Sequence, residues 1–166
     1  MGLLEECMQA NRTYADGFEQ RAQLDKHPAK QLVVLTCMDC RIQVEDILGL
    51  KPGDAHVLRN AGGVTTDDMI RSLILSYRLG GSREIFVLNH TGCGLLGLYD
   101  DQLRKELAME TGRDTADLEF FGFRDLESNV KRQVQKIRES PFIPPDITVH
   151  GLIFDVKTGN LHKVME

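Results

Sequence analysis

Two short strings in this chain bring metal-binding side chains together with an acid and a guanidinium. Cys37-Met38-Asp39-Cys40-Arg41 carries two thiols, a carboxylate and an arginine, and His90-Thr91-Gly92-Cys93 carries an imidazole and a third thiol. Sulfur and nitrogen donors in tetrahedral array suit zinc. Cys37, His90 and Cys93 as three protein ligands would leave the fourth position to water, the arrangement of a catalytic zinc, one per subunit. Water there ionises near a pH of about 7 and becomes a hydroxide nucleophile. Two thiolates make such a metal less electrophilic than three imidazoles would. Asp39 would itself bind the metal unless something held it off. Arg41 can do so with a two-pronged ion pair. Asp39 is then free to accept a hydrogen bond from the hydroxide and aim its lone pair. The plain alternative is a surface ion pair, worth about 0–1 kcal/mol.

Cys40 opens two other readings. Cys37-x-x-Cys40 with His90-x-x-Cys93 supplies enough donors for a closed, structural zinc site. Alternatively, Cys37-x-x-Cys40 after a strand reads as a redox motif, which leaves the second string unexplained. Even in the catalytic reading Cys40 is a redox liability, because a disulfide with its ligand neighbour would eject the metal.

Both strings need a scaffold that delivers them to one place. Each follows an apolar run, Leu32-Val33-Val34-Leu35 or Ile85-Phe86-Val87-Leu88, that reads as a buried strand. Further strands are expected at Ala55-His56-Val57-Leu58, Ile147 to Val156 and Leu161 to Met165. Helices are expected from Leu3 to Gln23, around Ile42 to Leu48, from Thr65 to Leu79, from Leu95 to Met109 and from Asp125 to Glu139. This alternation predicts an α/β three-layer sandwich with a mostly parallel sheet in the order 2-1-3-4 and an antiparallel edge strand. That order puts the ends of strands one and three side by side at a topological switch point, where ligands bind. Strand two ends in Asn60-Ala61-Gly62-Gly63, small residues that let backbone approach a ligand. Gly62 and Gly63 read as pocket wall, whereas Asn60 and Ala61 read equally well as a helix-entry loop. The remaining histidines, His27, His56, His150 and His162, and the cluster Phe120-Phe121-Gly122-Phe123 read as structural, surface or interface residues. Cys7 reads as a bystander on a packed face.

Composition narrows the partners. A net charge of −5 argues against nucleic acid, and no apolar stretch approaches the length of a membrane helix. The N-terminal residues lack a secretion-signal pattern, so a cytoplasmic protein with metal-binding or redox cysteines is expected. Residues 1–27 form a helical arm that needs a surface to pack on, and residues 28–166 form a single zinc-binding α/β domain.

Taken together, Cys-x-Asp-x-Arg, Arg-Asn-Ala-Gly and His-x-x-Cys-Gly, in this order and at these intervals, resemble the β-class carbonic anhydrases, most of all their short microbial-type branch. The resemblance runs from about Pro28 to Val164 and includes Val149-His150-Gly151. It implies zinc on Cys37, His90 and Cys93, an Asp39–Arg41 catalytic dyad, and hydration of carbon dioxide to bicarbonate. It also implies a homodimer or dimer of dimers with N-terminal arms wrapping the partner. Two positions depart from the family pattern: Cys40 stands where serine or alanine is usual, and Gly92 where many short members carry aspartate. The smaller residue at Gly92, beside the expected metal, is expected to change the shape or polarity of the substrate pocket. The same scaffold includes hydrolases of carbonyl sulfide and carbon disulfide, linear analogues of carbon dioxide. Carbonyl sulfide hydrolysis to hydrogen sulfide and carbon dioxide is therefore the second expectation. The chain has no tryptophan, which argues against the regulatory bicarbonate pocket of some relatives.

Overall fold

The apolar run that precedes the first string forms β1 (Leu32–Cys37), buried along its whole length. It is buried because it is flanked on both sides, by β2 (Ala55–Asn60) and by β3 (Glu84–His90), each parallel to it. β4 (Thr148–Phe154) continues the parallel sheet beyond β3, and β5 (Leu161–Met165) closes the edge antiparallel to β4. The order is β2-β1-β3-β4-β5, as the alternation of elements predicts. This computed structural model describes residues 1–19 and 21–165. Gln20, inside the expected arm, and Glu166 lie outside the described residues.

Alternate residues of each strand feed opposite faces of the sheet. Val33 and Leu35 of β1, with Ile85, Val87 and Val149, pack against α3 (Asp67–Gly80) and α5 (Leu126–Arg138) through Met69, Leu73, Val130, Val134 and Ile137. Leu32 and Val34 face the other way, with Leu88 and Leu152, onto Ile42 and Val44 at the start of α2 (Val44–Leu48). Thr66 caps α3 by accepting from Met69 N–H, and Asp125 caps α5 by accepting from Ser128 N–H. Because α2, which follows β1, and α5, which follows β3, lie on opposite faces, the connections leaving β1 and β3 diverge, and a crevice opens at the carboxyl ends of those two strands.

Two helices differ from expectation. α1 (Leu3–Ala15) stops well short of Gln23, followed by turns from Asp16 and Gly17 onward. Its break therefore precedes His27-Pro28. α1 has no buried residue, and Cys7 is exposed instead of lying on a packed face. α4 (Asp100–Thr111) begins five residues later than the apolar spacing suggests. The backbone of 95–97 is engaged elsewhere: Phe123 N–H donates to Leu95 O at 3.0 Å, and Gly97 N–H donates to Phe123 O at 2.7 Å. Gly97 is held there at φ +88°, outside helical backbone, so a helix cannot run through it.

Candidate metal centre

β1 ends on Cys37 and β3 ends on His90, so adjacent parallel strands deliver a thiol and an imidazole to the same crevice. The turn after β3 brings Cys93 back. The two sulfurs and a ring nitrogen of His90 lie within 4.8 Å of one another, and all three residues are buried. His90 Nδ1 sits 3.0 Å from Thr91 O. A carbonyl can only accept, so Nδ1 carries a hydrogen, and in the neutral ring Nε2 is the nitrogen with the lone pair. That Nε2 is buried and finds no hydrogen-bond partner among the described residues. An orphaned, fully desolvated nitrogen between two thiols fits a cation that takes nitrogen and sulfur.

The two thiols form one hydrogen-bonded pair that shares a proton. Cys37 is pushed down to about 4, first by its hydrogen bond with Cys93 and then by His90 and the Asp39 and Gly62 backbone. Cys93 is pushed up by the same bond and by burial. Cys37 Sγ also accepts from Gly62 N–H at 3.3 Å. Phe123, with Leu95 and Leu126 packed around it, walls the two cysteines from solvent.

Asp39 stands at the mouth of this cluster, its Oδ2 3.9 Å from His90 Nε2. Arg41 occupies both carboxylate oxygens: Nε donates to Oδ1 at 2.9 Å and Nη2 to Oδ2 at 2.7 Å, and the Arg41 backbone N–H adds a bond to Oδ1. These bonds hold the carboxyl far below the usual range. Arg41 is itself anchored by Gly92 O at 3.1 Å, so the Gly92 backbone positions the pair. Arg59, which carried no expectation of its own, clamps the loop from β2. Its Nε donates to Cys37 O at 3.0 Å and its Nη2 to Asp39 O at 2.7 Å. Only strand pairing could have revealed this, since the register sets Cys37 opposite Asn60.

The other expected residues divide. Gly62, at φ +79°, touches the site through its N–H; a Cβ there would lie 2.3 Å from Leu95 Cδ1. A Cβ on Gly63 would strike Asn89 Nδ2 at 2.8 Å and the β1 backbone near 3.0 Å, so Gly63 is packed behind the wall. Asn60 closes its own loop, exchanging hydrogen bonds with Val64 N–H and O at 2.8 Å. Cys40 is exposed and does not join the three-donor group, which removes the basis of a closed four-ligand site. His56 bonds Ser76 Oγ at 2.8 Å, and His150 bonds Glu84 at 2.8 Å, both away from the cluster.

Comparison with known proteins places this geometry among relatives. A family model described as carbonic anhydrase matches residues 32–161. Beta-carbonic anhydrase 1 of Mycobacterium tuberculosis is 41% identical over 165 residues, covering 99% of both chains. A carbon disulfide hydrolase of Acidithiobacillus thiooxidans is 38% identical over 152 residues, 80% of this chain and 76% of that one. Among solved structures, a carbonic anhydrase from Streptococcus mutans superposes with a TM-score of 0.93 at 40% identity, covering 99% of this chain and 98% of that one.

Proposed function

This chain belongs to the β-carbonic anhydrase family, and from that premise we propose that it hydrates carbon dioxide to bicarbonate at a zinc ion held by Cys37, His90 and Cys93. The observation that carries the reading is the orphaned Nε2 of His90, buried between two thiols with the Asp39 carboxylate 3.9 Å away. Bound there, zinc supplies the Lewis acidity that ionises water near neutral pH. The remaining work belongs to the chain. Asp39, kept ionised by Arg41, accepts a hydrogen bond from the attacking solvent and turns its lone pair toward the substrate carbon. Arg41 would keep that carboxylate from swinging inward onto a metal held by the three ligands. Phe123 and Leu95 exclude bulk water behind the thiols, and the Gly92 backbone bounds the pocket. The proton released passes to buffer.

Carbonyl sulfide is the second reading, favoured by the 38% identity to a carbon disulfide hydrolase. Carbon dioxide ranks first because the carbonic anhydrase match combines 41% identity with nearly complete coverage of both chains, while a hydrolase that spans 97% of this chain is only 32% identical. Initial rates of zinc-loaded protein with each gas decide the order. Preference for carbonyl sulfide by more than about tenfold, roughly 1.4 kcal/mol in transition-state free energy, would reverse it.

The working form in this reading is a homodimer or dimer of dimers. Residues 1–27 act as an arm laid on a second copy, and residues 28–166 form the zinc-binding domain. Support comes from α1, whose Leu3, Leu4 and Met8 are 77%, 75% and 52% exposed and lack any covering surface in the single chain. No helix among the described residues is long and apolar enough to cross a membrane. A cytoplasmic setting would keep Cys37 and Cys93 reduced for metal binding.

A further inference from the structure

Behind the crevice runs a line of buried amides that neither string contains. Asn89 of β3, and Asn129 and Gln133 of α5, are 2%, 1% and 4% exposed. Gln133 Oε1 accepts from Thr65 N–H at 2.8 Å, and Gln133 Nε2 donates to Asn129 Oδ1 at 2.9 Å. Arg132 donates to the same Oδ1 at 2.8 Å. Asn129 Nδ2 donates to Asn89 Oδ1 at 2.9 Å. Asn89 Nδ2 then donates to the carbonyls of Gly62 and Gly63 at 3.3 and 3.4 Å. Gly62 N–H, the last member, donates to Cys37 Sγ at 3.3 Å.

The direction of this relay is set from both ends. The glycine carbonyls can only accept, so Asn89 must present its Nδ2 to them and its Oδ1 to Asn129. At the far end Thr65 N–H and the Arg132 guanidinium can only donate, which orients Gln133 and Asn129 the same way. Apolar side chains of similar size would fill this space without desolvating three amides. The gain from the amides is therefore one of position: they settle where the glycine turn sits. A hydrogen bond to a thiolate draws charge from the sulfur, and such outer groups tune metal centres.

We propose that Asn129 and Gln133 are positioning residues for the metal centre, acting through Asn89 to seat the Gly62 amide on the Cys37 sulfur. The relay thereby limits how much charge that thiolate gives the metal and holds the sulfur in its ligating position. This inference rests on Cys37 being a metal ligand.

The test compares wild-type protein with Asn129→Asp, both loaded with cobalt(II), whose sulfur-to-metal charge-transfer band reports thiolate donation. The aspartate keeps the oxygen that accepts from Gln133 and Arg132 but removes the donor to Asn89. The band should move to lower energy, and cobalt affinity by chelator competition should fall about 10- to 100-fold, with far-UV circular dichroism unchanged. Gln133→Leu should shift both in the same direction. A folded variant with unchanged band and affinity overturns the proposal. Wild-type protein substituted with cadmium-113 provides a readout that needs no variant to fold. A scalar coupling between the metal and the Gly62 amide proton is expected, and its absence overturns the inference. Wild-type protein that takes up no cobalt would instead remove the zinc reading on which the inference stands, an outcome separate from the other two.

Discussion

Arg41 forks around Asp39 so that both carboxylate oxygens are engaged, one through Nε and the backbone N–H, the other through Nη2. A carboxyl held below its ordinary range is charged at any pH above about 4, and its stabilising contribution is lost only as pH falls through the lowered value. Asp39 is therefore ionised throughout the neutral range, and a change in activity between about pH 6 and 9 must come from another group. Carbon-13 NMR of Asp39 should show no titration step in that window. In Arg41→Ala its titration should move up toward the ordinary carboxylate value, and turnover should fall about 10- to 100-fold. Arg41→Lys should recover only part of the turnover, because a point charge cannot fork onto two oxygens and still reach Gly92 O. Full activity in Arg41→Ala would show that the pair is a surface ornament.

At the scale of elements, the start of α4 decides how the apolar wall is built. Asp100, its first residue, reaches back to accept three backbone N–H groups, from Phe120, Phe121 and Gly122, each at 2.9 Å. This holds the stretch leading to Phe123, the aromatic that packs on Cys37 and Cys93. Burial alone would raise the Asp100 carboxyl, but the three N–H donors outweigh it and hold it low. Its contribution to stability is then present above about pH 4 and disappears in acid. Asp100→Ala should destabilise the fold by about 2–3 kcal/mol at neutral pH, read from urea unfolding. The difference from wild type should shrink as pH falls through the lowered Asp100 value. A constant difference across that range would mean the carboxylate charge is not what ties the loop.

For the molecule as a whole, α1 is the element that the rest of the chain does not explain. A helix of thirteen residues with none buried is not held by the core beneath it. Its apolar residues need a surface, and the proposed one is a second copy. Light scattering on the full chain should give a dimer or a multiple of dimers. Deletion of residues 1–27 should lower the mass per particle or weaken assembly at micromolar concentration. A full-length chain that stays monomeric throughout would leave the arm without a role and would remove the oligomer from the proposal.

The two strings, their residue types and the strands feeding them were legible in the sequence, because metal ligation demands particular side chains and buried parallel strands read as unbroken apolar runs. The strand order followed from the same pattern, since right-handed crossovers leave few alternatives. Family membership was legible for the same reason: the spacing of Cys37, Asp39, Arg41, His90 and Cys93 is preserved along one chain. Local spacing could not say where α4 begins, because Phe123 claims the Leu95 and Gly97 backbone from some 26–28 residues away. Nor could it assign Arg59, Asn89, Asn129 or Gln133, whose partners lie on other elements. An isolated arginine or amide has no periodicity, and its role exists only once folding has chosen what it faces.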